Sequence, residues 1–154
     1  SKVGWFLRSK LSPGARCSLE HGGMAPTFIT TNSDLENCAK SLARGGFYHA
    51  GQVCVSVQRI YLDKKVSKSF IDLFINEVNK VKLGDPMDSN TVVGPLIRNT
   101  EVLRVNEWVQ ESKKNGSDII LGGNILSEST FDKTIIVNPK KTIKFQNLKS
   151  LVLL

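Results

Sequence analysis

Apolar residues recur along the chain at two different spacings. Spacings of three and four residues predict helices over 2–11, 34–44, 70–83 and 99–115. Short runs rich in β-branched and aromatic residues predict strands over 16–20, 26–30, 58–63, 119–121 and 134–137. Because strands alternate with helices, the pattern predicts an α/β fold with a mainly parallel sheet flanked by helices.

Polar residues and glycines indicate where these helices begin and end. Candidate caps for the second helix are Asn32, Ser33 and Asp34, and Ser33, with Glu36 three residues later, fits a capping box. The glycine pair at 45–46 is expected to end that helix. Asn99 is expected to cap the last helix, and the Asn-Gly pair at 115–116 to end it.

Composition places the chain among soluble globular proteins. It has 154 residues, of which 40% are hydrophobic and 23% charged, so one sizeable core is feasible. No apolar run approaches the ~20 residues of a membrane-spanning helix, and no signal peptide is recognisable at the start. The formal net charge is +7, but the lysines are scattered, as on a solvated surface. We therefore expect neither a nucleic-acid nor a membrane partner.

The cysteines indicate a reducing compartment. There are three of them, Cys17, Cys38 and Cys54, an odd number with irregular spacing that argues against a disulfide framework. A cytoplasmic location is the expectation that follows. Although His21 and His49 lie in the same part of the chain, no pair of closely spaced ligands repeats, so no metal site is expected.

Two short motifs could carry chemistry together. Glu20 precedes the glycine pair at 22–23, and Cys54 ends the sequence Gly-Gln-Val-Cys at 51–54. A thiolate is a nucleophile, and a carboxylate becomes a base near neutral pH when burial raises its pKa. Such a pair suits covalent catalysis in two stages, with glycines that let a substrate approach closely. Taken singly, Glu20 could be a surface charge and Cys54 a small apolar residue.

Five ordered motifs together resemble the aldehyde dehydrogenase superfamily. They are Leu-Glu-His-Gly-Gly at 19–23, Gly-Gln-Val-Cys at 51–54, Arg-Ile-Tyr at 59–61, Gly-Asp-Pro at 84–86 and Gly-Pro-Leu-Ile at 94–97. Asp34-Leu35 opens a helix at the interval typical of that family, and residues 1–4 are similar to the end of its pyrophosphate-contacting loop. The resemblance covers residues 1–139.

The resemblance implies a role for each motif. Cys54 would add to an aldehyde carbonyl, and the thiohemiacetal would pass hydride to NAD or NADP. Glu20 would activate the water that hydrolyses the thioester, giving a free acid. The backbone N–H of Cys54 would be one oxyanion-hole donor, and Gly51 and Gln52 would shape the turn that presents the thiol.

The same resemblance places the cofactor and the assembly. Ser1, Gly4, His21 and Gly22 are the implied cofactor-binding residues. The implied domains are the trailing part of a dinucleotide-binding domain at 1–23, the first half of a catalytic domain at 24–142, and a divergent or truncated tail at 143–154. A small-molecule aldehyde would be the substrate, and the full-length form would be a homo-oligomer.

Departures from the family pattern point to a fragment. His21 stands where the family usually has Leu. A structural role is favoured for His21 over a role in proton transfer. After about residue 142 the sequence no longer resembles the family, and it ends in an apolar run that resembles a strand cut short. We expect an internal fragment with negligible turnover by itself. A non-catalytic remnant that binds other subunits through its unfinished sheet is the alternative.

Overall fold

The computed structural model describes residues 2–139 and 148–153 as five strands with flanking helices. In chain order the elements are α1 (Lys2–Arg8), β1 (Thr27–Ile29), α2 (Leu35–Phe47), β2 (Arg59–Asp63), α3 (Ser67–Lys80), α4 (Asn99–Lys114), β3 (Asp118–Leu121), β4 (Ile135–Val137) and β5 (Leu148–Leu153). This arrangement confirms the predicted α/β class. The division into domains at residues 23 and 142 stays a prediction.

The sheet is mixed in strand direction. Its order is β1-β2-β5-β4-β3. β1 and β2 are parallel, as predicted, whereas the other three described pairings are antiparallel. The expectation of a mainly parallel sheet therefore holds for one pair only. For β3 and β4 the physical reason lies in their connection, because residues 122–134 include no helix and a parallel crossover is usually helical.

Helices cover the two faces of the sheet unequally. In β4, Ile135 and Val137 face a core shared with α2 and α3, while Ile136 faces a smaller core under α4. This is the alternation of a strand buried on both sides. α2 and α3 pack against each other over the larger core, whose fully buried aromatic residues are Phe70 and Phe74. The result is a three-layer arrangement.

Glycine at the end of α2 serves packing rather than termination. The helix continues through Gly45 and Gly46 to Phe47, so the predicted end at 45–46 is wrong. A methyl group at Gly46 would lie 2.5 Å from Cδ1 of Leu153 in β5. Gly46 therefore allows the helix to approach the sheet closely, and the helix ends instead at Tyr48, which has an extended backbone.

One of the cap candidates of α2 is confirmed, whereas the capping box at Ser33 and the cap at Asn99 are wrong. α2 is capped by Asp34, whose carboxylate accepts a hydrogen bond from the Asn37 N–H at 3.1 Å. Ser33 instead accepts from the Thr30 N–H. In α4 the capping position belongs to Arg98, and the Asn99 side chain donates to the Glu128 carbonyl oxygen at 2.8 Å. The predicted end of α4 at Asn115 is confirmed.

The first part of the chain has little regular structure. The helix predicted over 2–11 ends at Arg8, and the strand predicted over 16–20 is absent from the described residues 9–26. The apolar side chains of this part are exposed to solvent, namely Val3, Trp5, Phe6, Leu7 and Leu11. No helix within the described ranges is long and apolar enough to cross a membrane.

Candidate active site

Cys54 lies in a tight turn that follows α2. Three consecutive residues before it have left-handed backbones, with φ of 51° at His49, 53° at Ala50 and 68° at Gly51. Glycine adopts this conformation freely, but a residue with a Cβ does so at a cost of about 1–2 kcal/mol. Surrounding contacts must compensate for that cost. The turn ends with the Cys54 side chain exposed.

Gln52 connects this turn to a second loop. Its Nε2 donates to the carbonyl oxygens of His49 at 3.2 Å and of Pro95 at 3.3 Å, and its Oε1 accepts from the Ile97 N–H at 3.0 Å. The motifs at 51–54 and 94–97, which the sequence places more than forty residues apart, are therefore neighbours. The sequence assigned Gln52 to the turn but contained no signal for its partners Pro95 and Ile97.

The glutamate motif contacts the cysteine motif through Gly23. A methyl group at Gly23 would lie 2.0 Å from the carbonyl oxygen of Cys54, so only glycine permits this approach. One residue later, the Met24 carbonyl oxygen accepts from the Gln58 N–H at 3.1 Å. The backbones of the two predicted catalytic motifs thus lie side by side at residues 23 and 54.

Two of the predicted cofactor-binding residues, Gly4 and His21, lie close together. A methyl group at Gly4 in α1 would meet the His21 ring at 3.4 Å, and Trp5 stacks on that ring at 5.6 Å between centroids. Gly22 has a φ of +63°, and a methyl group there would meet no atom within 4 Å. Gly4 and His21 are therefore neighbours and the space beside Gly22 is open, while Ser1 lies outside the described residues.

Glu20 and Cys54 are both exposed, and neither lines the two cavities at this end of the molecule. One cavity, of about 370 Å³, lies between α4 and the turn, and its lining includes Trp108 and Lys133. The other, of about 630 Å³, is bordered by His49 and the loop carrying Pro95. Gln52 belongs to both linings.

Hydrogen bonds leave the Cys54 amide available. Among the residues that the structure describes, none accepts a hydrogen bond from the Cys54 N–H. Two amides further along the chain are used, since the Ser56 N–H donates to the Val53 carbonyl oxygen and the Val57 N–H to that of Gly45 in α2. An unpaired N–H beside an exposed thiol can donate to an oxygen of a bound group.

Two charged residues in the lining of the smaller cavity have lowered pKa values. Burial lowers the pKa of Lys133, and the nearby Asp132 carboxylate opposes that effect. The Lys133 ammonium donates to the carbonyl oxygens of Val78 and Val81 at 2.8 and 2.6 Å. These bonds cap the C-terminal end of α3. The ion pair with Arg104 holds the pKa of Glu101 below its ordinary value. These groups stabilise the walls of the cavity and lie outside the two motifs.

Family comparison agrees with this geometry. The profile of the aldehyde dehydrogenase family matches residues 3–149, which include both motifs. The chain belongs to the aldehyde dehydrogenase family. Members of this family are oxidoreductases, so the predicted enzyme class is confirmed. The match also extends ten residues beyond Pro139, where the resemblance between motifs ended.

Curated relatives are about a third or more identical to this chain over the aligned residues. A 3-sulfolactaldehyde dehydrogenase from Priestia aryabhattai is 40% identical over 122 residues, covering 79% of this chain and 25% of its own. A succinate-semialdehyde dehydrogenase [NADP(+)] from Schizosaccharomyces pombe is 35% identical over 145 residues, covering 92% and 29%. The chain therefore spans about a quarter of the length of these relatives.

Solved structures of the aldehyde dehydrogenase family share the fold. A glyceraldehyde-3-phosphate dehydrogenase from Methanocaldococcus jannaschii, complexed with NADP, is 33% identical with a TM-score of 0.79, covering 86% of this chain and 29% of its own. A succinate-semialdehyde dehydrogenase from Burkholderia pseudomallei is 27% identical with a TM-score of 0.78. An indole-3-acetaldehyde dehydrogenase was solved with NAD⁺. The family thus uses NAD or NADP.

Proposed function

We propose that this chain carries the nucleophile and the base of an NAD(P)-dependent aldehyde dehydrogenase that produces a carboxylic acid. Cys54 is the nucleophile and Glu20 is the base. The observation that carries the proposal is the contact between Gly23 and the Cys54 carbonyl oxygen, because it brings the two motifs together. The exposed thiol and the unpaired Cys54 N–H support it.

The first step is addition of the Cys54 thiolate to the aldehyde. A bond forms between Sγ and the carbonyl carbon, the π electrons move to the oxygen, and the Cys54 N–H stabilises that oxygen by hydrogen bonding. Exposure of the side chain gives a small aldehyde access to the sulfur. The turn contributes by holding the backbone at Cys54 in one position, which reduces the entropy cost of the reaction.

The cofactor-binding residues in this proposal are Gly4, His21 and Gly22, together with Ser1. The open space at Gly22, where a methyl group would meet no atom within 4 Å, and the exposed residues of α1 support this assignment. NAD or NADP, when bound, would supply the hydride acceptor for oxidation of the adduct. Glu20 then accepts a proton from the water that attacks the thioester carbon, which releases the acid and the thiol.

Alkylation of Cys54 tests the nucleophile without any cofactor. Iodoacetamide labelling of the 154-residue chain is followed by peptide mass spectrometry, with the exposed Cys17 as an internal reference. Lactaldehyde and succinate semialdehyde, compounds named for relatives of this chain, are expected to protect Cys54 and leave Cys17 unprotected. Equal labelling of both cysteines at all aldehyde concentrations would contradict the proposal.

Acylation of Cys54 tests the base separately. An activated acyl ester converts the thiol to a thioester directly, after which only hydrolysis remains. Glu20→Gln is expected to slow that hydrolysis by about 10²-fold or more, the usual contribution of a general base, and to leave acylation unchanged. Hydrolysis at the unaltered rate would remove Glu20 from the mechanism.

A second candidate function has one observation in its favour. The exposed apolar side chains of α1 favour a non-catalytic module that binds another subunit. Sedimentation velocity distinguishes the two, because a module of this kind should associate as its concentration rises. If the chain stays monomeric at high concentration and aldehyde protects Cys54, the interaction module is excluded and the dehydrogenase proposal is supported.

A further inference from the structure

Both polar atoms of the Gln52 amide are hydrogen-bonded to backbone groups. Nε2 donates twice, to the carbonyl oxygens of His49 and Pro95, and Oε1 accepts from the Ile97 N–H. Hydrogen bonds between a side chain and the backbone are a minority of the hydrogen bonds in proteins. We call this set of three bonds the Gln52 bridge.

Only a primary amide can make the Gln52 bridge. It combines two N–H donors with an oxygen acceptor at one end of a side chain. A glutamate could still accept from the Ile97 N–H, but its carboxylate would face the two carbonyl oxygens and repel them. A methionine of similar volume could make none of the three bonds. These two substitutions therefore separate the bridge from the space that the side chain fills.

The Gln52 bridge stabilises the backbone conformation of the turn. His49 and Ala50 lie three and two residues before Gln52, and their left-handed backbones are energetically unfavourable. Two of the three bonds attach this segment to the loop at 94–97, and the third closes it on His49. The conformation therefore persists because the second loop holds it.

Cys54 is consequently fixed from two directions. Downstream, its carbonyl oxygen lies against Gly23. Upstream, the chain is held two residues earlier by the Gln52 bridge, which also forms part of the wall of both neighbouring cavities. Movement of the loop at 94–97 would be transmitted to the thiol through this connection.

We propose that Gln52 is a positioning residue, which orients Cys54 for addition to the aldehyde by coupling its turn to the loop at 94–97. This inference rests on the proposed function of Cys54. Gln52 does not itself react, and its effect is on the adduct equilibrium rather than on the intrinsic reactivity of the thiol.

The experiment compares Gln52→Met and Gln52→Glu with the unaltered 154-residue chain. Protection of Cys54 by lactaldehyde or succinate semialdehyde against iodoacetamide measures addition, and the labelling rate without aldehyde measures thiol reactivity. We expect both variants to need about tenfold more aldehyde for equal protection, the loss expected for about one net hydrogen bond. The labelling rate without aldehyde should change by less than about twofold for Gln52→Met, since a small reagent needs only an exposed thiol.

A matched control and a spectroscopic signature accompany these variants. Gln110→Glu makes the same chemical change on the exposed side of α4, where the amide donates to the Asn106 side chain, and it should leave protection unaltered. Hydrogen exchange at the Ile97 N–H should accelerate in Gln52→Met but much less in Gln52→Glu, because the carboxylate still accepts that bond.

Each outcome has a definite meaning. If aldehyde fails to protect Cys54 in the unaltered chain, the proposed function fails before Gln52 is tested. If protection occurs there and is the same in both Gln52 variants, Gln52 has no positioning role. Loss of protection together with loss of the folded circular dichroism spectrum in both variants also contradicts the inference, because Gln52 would then serve folding as a whole.

Discussion

Between residues 2 and 22 no side chain is buried, whereas the described chain from Gly23 onward contains every residue of both hydrophobic cores. The proposed base Glu20 belongs to the first region, and the proposed nucleophile Cys54 to the second. Cys54 is held by a turn, a side-chain bridge and the backbone at Gly23. Near Glu20, the neighbouring residue His21 is held by stacking of its ring on Trp5.

This difference teaches that the two halves of the proposed site depend on different forces. The nucleophile's position follows from burial of the helices and strands around it, which is the dominant favourable term in folding. The base's position depends on one close backbone contact at Gly23 and on a few exposed contacts. Disturbing the core should therefore alter the whole molecule, and disturbing residues 2–22 should alter only that segment.

The largest expected effect comes from removing a core aromatic residue. Phe74 in α3 is completely buried, so Phe74→Ala should lower the free energy of unfolding by about 3–5 kcal/mol. Phe6→Ala removes the same group from the exposed α1 and should change it by less than about 0.5 kcal/mol. Urea denaturation followed by circular dichroism measures both. Equal losses for the two variants would mean that the regions are not distinct.

A smaller effect is expected where the two regions meet. Gly23→Ala introduces a methyl group 2.0 Å from the Cys54 carbonyl oxygen, and the backbone shift that follows should cost about 1–3 kcal/mol and weaken aldehyde protection of Cys54. Gly14→Ala is the control, because a methyl group there meets no atom within 4 Å although its φ is +84°. It should leave Cys54 protection unchanged. If Gly23→Ala also does so, contact between the motifs is not what organises the site.

The smallest effect concerns the surface charges of the second region. None of the ion pairs among the described residues involves residues 2–22. The Lys82 ammonium, and then the Asn90 N–H, hold the pKa of Asp88 below its ordinary value. A lowered carboxylate pKa stabilises the fold at neutral pH, and this contribution is lost as the pH falls through the pKa of the folded state.

The melting temperature of Asp88→Asn tests this sign. It should lie slightly below that of the unaltered chain at pH 7, and the difference should shrink as the pH falls through the pKa of Asp88 in the folded state. About 1 M salt should also reduce the difference at pH 7, because the pair is exposed to solvent. A difference that grows as the pH falls would have the wrong sign for this interaction.

Local structure was the more predictable part of the fold. The positions of α2, α3 and α4 agree with their apolar spacing, since Ala39, Phe70, Phe74, Val102 and Val109 are all buried as the pattern requires. The caps were less predictable. Ser33 and Asp34 are both good capping residues, and only the path of the preceding strand decides which carboxylate or hydroxyl reaches the helix N-terminus.

The candidate site divides in the same manner. Glu20 and Cys54 stand out because of their residue types and neighbouring glycines, but the partners of Gln52 lie more than forty residues away and carry no distinctive chemistry. Lys133 is a similar case. Nothing in its sequence surroundings indicates that its ammonium closes the end of α3.

The sequence by itself determined the helices, most of the strands and the residues that belong to the family's motifs. It could do so because apolar periodicity and turn chemistry are properties of neighbouring residues. Only the tertiary structure decided that three strand pairings are antiparallel, that Gly23 lies against Cys54 and that Gln52 joins two loops. Those features depend on which distant segments pack together, and that choice is made by the burial of the whole core rather than by any local pattern.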